Sequence, residues 1–165
     1  MSFPDPVQSE RLKLSPGHPV GVTEEMIRAL VHGFYARVRE DPRLGPVFAG
    51  AISDWEPHLR KMCDFWSSVT LMSGRYHGTP MPVHARLSDV GHEHFARWLR
   101  LFEETAREIC PPEAAALFID RSRRIAQSLE MGMAIARGEL PAMRAQPPSP
   151  ASRGLPPEGE DPLRR

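Results

Sequence analysis

The sequence predicts an all-α domain. Three observations carry that prediction: apolar residues recur every three or four positions in four separate stretches, no stretch alternates apolar and polar residues as a strand does, and proline-glycine clusters divide the stretches. The periodic region spans residues 22–138 and shows no internal repeat. About 115 residues suffice for one domain with a real core.

Residues 1–21 hold Pro4, Pro6, Pro16 and Pro19 without sustained periodicity, and are expected to form an extended or disordered lead. The first helix should open at Thr23, an N-cap followed by Glu24 and Glu25 at the positive helix end, with Val22 stapled onto Ile27. Its apolar stripe is Ile27, Leu30, Val31, Phe34 and Val38, lasting to about Glu40, with Tyr35 at the edge. DPRLGPVFAGAI, residues 41–52, has two prolines and two glycines and reads as a loop. Leu44, Val47 and Phe48 are too apolar to leave in water, so this loop should fold over a core or a ligand.

A second helix is expected from a Ser53–Glu56 capping box. His58, Met62, Phe65 and Val69 follow at spacings of four, three and four, so His58 points where the apolar side chains point. Gly74, Gly78, Pro80 and Pro82 break this helix, and the irregular stretch from Ser73 to Ser88 puts His84 on a short turn. That stretch also carries Tyr76, Met81, Val83 and Leu87, too apolar for a disordered segment. Ser88 and Asp89 offer caps for a third helix, from about Val90 to Ile109, with Phe95, Trp98, Leu99, Phe102, Ala106 and Ile109 on one face. Pro111 and Pro112 end it and start a fourth, which runs through Ala116, Ile119, Ile125, Leu129 and Met133 to about Arg137, before Gly138. Residues 139–165 contain seven prolines and almost no large apolar side chains, the composition of a disordered tail.

Lysine plus arginine number 21 and aspartate plus glutamate 21, so no broad positive field exists to hold nucleic acid or anionic lipid. No run of eighteen apolar residues is present, and the first residues lack a basic segment followed by an apolar one. A soluble, unexported, cytoplasmic protein is expected, with no nucleic-acid or membrane partner. Cys63 and Cys110 suit a reducing compartment, as buried or partly buried thiols.

The sequence has no glycine-rich phosphate loop, no nucleophile elbow and no paired carboxylates on an apolar face. A lone histidine on an apolar helix face is ordinarily a packed core residue. His92 and His94 stand two apart on a helix and diverge, which argues against a shared zinc ion. His18, His32 and His77 read as surface residues. His58 and His84 differ from these: placed on opposite sides of a flat apolar ligand, one can coordinate a central metal while the other faces the open position, as haem requires.

FYARVREDPRLGPVF, WEPHLRKMCDFWSS, RYHGTPMPVHARL and HFARWLRLFEET, in that order and spacing, resemble the truncated haemoglobins, and among these the third group, the P-type. The likeness covers residues 22 to about 137. It implies the two-over-two helical sandwich of a truncated globin around haem b. His84, after the G-x-P-M-x-x-H segment, carries over as the iron ligand; Tyr35, preceded by Phe34, as the distal tyrosine; Trp98, in RWLxLF, as the distal tryptophan; and His58 as the distal-helix histidine. Phe48 matches the phenylalanine that packs on the haem plane, with Met62, Phe65, Tyr76, Met81 and Leu87 as further walls and Lys61 or Arg75 as partners for the haem propionates. The chain shares the group's lack of paired-glycine motifs but has Ser88-Asp89 where leucine-proline or diproline is frequent.

The function implied is reversible binding of dioxygen, nitric oxide or a related small ligand, with nitric oxide detoxification as associated chemistry and a reductase as a partner. The alternatives are a peroxidase-like enzyme in which His58 shuttles protons, and a haem-free helical interaction module.

Overall fold

A computed structural model describes residues 5–78 and 90–138, and among these it contains six helices and no strand. They are α1 (Pro6–Leu14), α2 (Glu24–Glu40), α3 (Leu44–Ala51), α4 (Trp55–Leu71), α5 (His92–Ile109) and α6 (Pro112–Ala136). The chain is therefore all-α, as its periodicity predicts.

The segment ahead of Thr23 is not the extended lead its prolines suggest. Asp5 accepts the Val7 N–H and Pro6 occupies the first helical position, where a missing N–H costs nothing, so α1 forms without burying any residue. After α1 the chain is pinned to α4: the Gly17 N–H donates to the Thr70 carbonyl at 2.7 Å. A Cβ at Gly17 would stand 2.6 Å from that oxygen, so only glycine permits the approach.

α2 follows the sequence closely. Thr23 Oγ1 accepts the Met26 N–H at 3.1 Å, Val22 and Ile27 are both buried, and the whole predicted stripe lies in the core with Tyr35 beside it. Residues 44–51, read as a loop, are instead helix. Asp41 Oδ1 accepts the N–H groups of Arg43 and Leu44, both at 2.9 Å, and Pro46 falls in the first turn, where no intrahelical donor is required.

The cap of α4 stands one residue later than expected. Asp54, not Ser53, accepts the Glu56 N–H, and the Ser53–Glu56 box does not form. The side chains it buries are Trp66, Ser67, Thr70 and Leu71, whereas the predicted stripe of His58, Met62, Phe65 and Val69 is half-buried. α5 begins at His92 rather than Val90, with Gly91 as N-cap, and Ile109 at its end is 38% exposed, off the core face. On α6 the sequence named Ala116, which is exposed, and missed Phe118, which is fully buried.

α2 packs on α3, α4 and α5; α5 pairs with α6, and α4 closes against α6. Aromatic rings bind these layers. Trp66 stacks on Phe102 with centroids 5.0 Å apart and meets Phe118 edge-on at 5.7 Å, while Phe34 abuts Phe102 at 5.2 Å. Among the described residues no helix is long and apolar enough to cross a membrane. The expected tail, residues 139–165, lies outside the described residues.

Candidate functional site

Between α2, α3 and α4 on one side and α5 and α6 on the other lies a cavity of about 440 Å³. This is the size of a small-molecule or cofactor site. Its walls are mostly apolar: Val47, Phe48 and Ala51 from α3, Met62 and Phe65 from α4, Phe95 from α5, Ile125 and Leu129 from α6. Into these walls are set the polar groups of Tyr35, His58, Trp98, Tyr76 and His94.

Tyr35 is held by a cage of rings. Its centroid lies 5.1 Å from His58, 5.8 Å from Trp55 and 5.9 Å from Phe48, with Phe34 behind it at 5.0 Å. Burial pushes its phenol well above the usual value, so Tyr35 keeps its proton and remains a donor. His58 stands edge-to-face against both Tyr35 and Trp55, its Nε2 buried. The Arg39 guanidinium covers the Trp55 ring at 4.8 Å and so fixes the outer end of this cluster.

Trp98 reaches the same cavity from α5. Its ring lies parallel to Phe102 at 5.5 Å and edge-on to Phe34 at 5.3 Å. The rotation of α5 is set next door, where Arg97 Nε bonds both carboxylate oxygens of Asp41, at 2.7 and 2.8 Å. That hydrogen bond, with the two backbone donors at Arg43 and Leu44, pulls the Asp41 carboxyl down to about 2.

Of the residues singled out by sequence, Tyr35, Phe48, His58, Met62, Phe65, Tyr76 and Trp98 meet at this one cavity. Phe34 does not line it; fully buried, it supports the rings of Tyr35 and Trp98 from the core. Lys61 and Arg75 do not face it either. They line a separate surface groove with Arg60, Asp64 and His77, and the Tyr76 ring borders both spaces. Arg75 is drawn towards Glu24 at 3.4 Å, because the segment after α4 is tied to the start of α2. Met81, His84 and Leu87 lie outside the described residues. The chain on either side of them borders the cavity, through Tyr76 before and Val90 after.

The structure adds residues that sequence reasoning missed. Leu44, Val47 and Phe48 cover the cavity as their apolar character in the sequence suggests, but on a helix rather than a loop, which adds Ala51 to the wall. Phe95, on the face of Trp98 by its spacing, lines the cavity too, and so does His94, four positions before Trp98, whose spacing marks the same face. Apolar walls with a few inward polar groups fit a flat, apolar-faced cofactor such as haem.

Residues 18–130 match the model of the bacterial-like globin family. Over 113 residues the chain is 34% identical to the group 3 truncated hemoglobin ctb of Campylobacter jejuni, an alignment covering 66% of this chain and 89% of that protein. The crystal structure of a group III truncated hemoglobin from Campylobacter jejuni superposes with a TM-score of 0.63 at 34% identity, again over 66% of this chain and 89% of that one.

Proposed function

The chain belongs to the bacterial-like globin family and is a group III truncated haemoglobin, a haem-binding globin; from that premise we propose that it holds haem b and reversibly binds dioxygen and other small diatomic ligands. The observation that carries this reading is the convergence of Tyr35, His58 and Trp98 on one apolar cavity. Bound haem supplies an iron with an open coordination position for a diatomic ligand. In this reading His84 is the iron's protein ligand, and Met62, Phe65 and Phe48 provide apolar walls.

The polar groups then act on the ligand. Tyr35 retains its proton because it is buried, and its O–H donates to a polarised ligand. Trp98 offers a second donor, the indole N–H, from a ring held by Phe34 and Phe102. Two donors from different helices favour tight retention of dioxygen. Tight retention suits removal of nitric oxide better than oxygen transport, and that use requires an electron source, supplied by a reductase.

The visible spectrum of the purified protein, reduced, with and without carbon monoxide, tests the proposal. Haem bands that shift on carbon monoxide addition are expected. A protein that stays colourless after haem is supplied overturns it.

A further inference from the structure

We infer that His94 binds a carboxylate at the rim of the cavity, through a ring proton fixed on Nε2. This rests on the reading of the cavity as a haem site and adds a partner for the acidic edge of its occupant.

His94 lies in the first turn of α5 and Trp98 four positions further along the same face. Beyond Trp98 its stacking partner, Phe102, is fully buried, whereas His92 and Glu93 beside His94 are exposed. Along α5 the cavity thus runs from a rim at His94 towards a floor under Trp98. The two side chains serve different depths.

The protonation of the ring follows from one contact. The Gly91 backbone N–H donates to His94 Nδ1 at 3.1 Å. A backbone amide can only donate, so Nδ1 carries a lone pair and the neutral ring has its proton on Nε2. A metal-binding histidine is arranged the other way, giving its second ring N–H to an acceptor and turning a lone pair to the metal. His94 is therefore set up as a donor rather than as a ligand. Among the described residues none accepts the Nε2 proton. The cavity residues Val90, Phe95 and Leu129 have only apolar side chains, so within the cavity an acceptor for this proton is one that the occupant brings.

A flat apolar molecule bearing carboxylates places its body between the apolar walls and its acidic edge at the rim, where donors and water can reach it. Lys61 and Arg75, the cations that the sequence offers for this task, line a separate surface groove instead. His94 meets the requirement from inside.

The test compares two porphyrins in the full chain: haem b, and its dimethyl ester, which lacks the acidic groups. Transfer of each to excess apomyoglobin is timed for the parent and for His94→Leu. Haem b should leave the variant about tenfold faster or more, the loss of one hydrogen bond to a charged acceptor, while the ester, whose neutral carbonyl oxygens are weaker acceptors, should show a clearly smaller change. Equal effects on the two porphyrins, or none on either, overturn the assignment. Should His94→Leu fail to fold, ¹⁵N resonances of the histidine rings in the unaltered protein decide: a protonated Nδ1 on His94 overturns it, and a protonated Nε2 with a bare Nδ1 supports it. Failure of the haem reading itself shows separately, as a parent that takes up neither porphyrin.

Discussion

The imidazole of His58 stands edge-to-face against the ring of Tyr35, centroids 5.1 Å apart and planes at 86°. One residue is on α4 and the other on α2, so this contact joins two walls of the cavity and brings two polar groups to the same end of it.

Tyr35 and Trp98 are expected to dominate ligand retention. A hydrogen bond to a charge-bearing buried acceptor contributes about 1.5–3 kcal/mol, so Tyr35→Phe or Trp98→Phe should speed dioxygen release roughly ten- to a hundredfold. His58→Leu should change association more than release, since His58 also packs edge-on against the half-buried Trp55. Stopped-flow rates for the three variants separate these roles; parent-like release from both aromatic variants would exclude a polar distal pocket.

His84 is proposed as the iron's protein ligand, and its replacement is the direct check. His84→Ala should be recovered largely haem-free, with a perturbed spectrum in whatever fraction retains the cofactor. An unchanged spectrum at full occupancy would move the ligand elsewhere.

The Asp41–Arg97 pair predicts a pH dependence of stability. The Asp41 carboxyl is lowered from 3.8 to about 2 in the folded chain, so the folded state binds that proton less readily than the unfolded one. The resulting stabilisation is complete above about pH 4 and is lost as pH falls to about 2. Asp41→Asn should thus be less stable than the parent at neutral pH, by a margin that narrows across this window. Denaturant titrations at pH 7, 4 and 2.5 measure the margin, and a constant gap would show that charge is not its cause.

Phe118 is fully buried against Trp66 at the centre of the packed layers. Phe118→Ala should lower the unfolding free energy by about 3–5 kcal/mol, through lost transfer energy and the cavity left behind. Ala116→Ser, two residues away but exposed, should change it by less than about 0.5 kcal/mol.

Local rules read from the sequence determined most of the helices. Thr23 caps α2, Val22 staples onto Ile27, and a stripe at helical spacing goes into the core, because these effects act within one or two turns. The same spacing put His58, Met62, Phe65 and Trp98 on inward faces, and motif likeness to a family named their roles. Sequence and structure part where a distant or second partner changes what a residue does. Proline and glycine in 41–52 look like a loop until Asp41 caps Arg43 and Leu44 and is itself held by Arg97, 56 positions away. The periodicity of α4 marks an apolar face, but only packing against α2 and α6 decides that Ser67 and Thr70 go to the core while His58 and Phe65 border a cavity. Lys61 and Arg75 have the right charge, yet they line a separate surface groove that shares only Tyr76 with the cavity. His94 gains its meaning only from the Gly91 amide that fixes its proton and from the helix that sets it at the rim. Periodicity gives the direction of a side chain about its own helix axis; what lies in that direction is decided by how the helices pack.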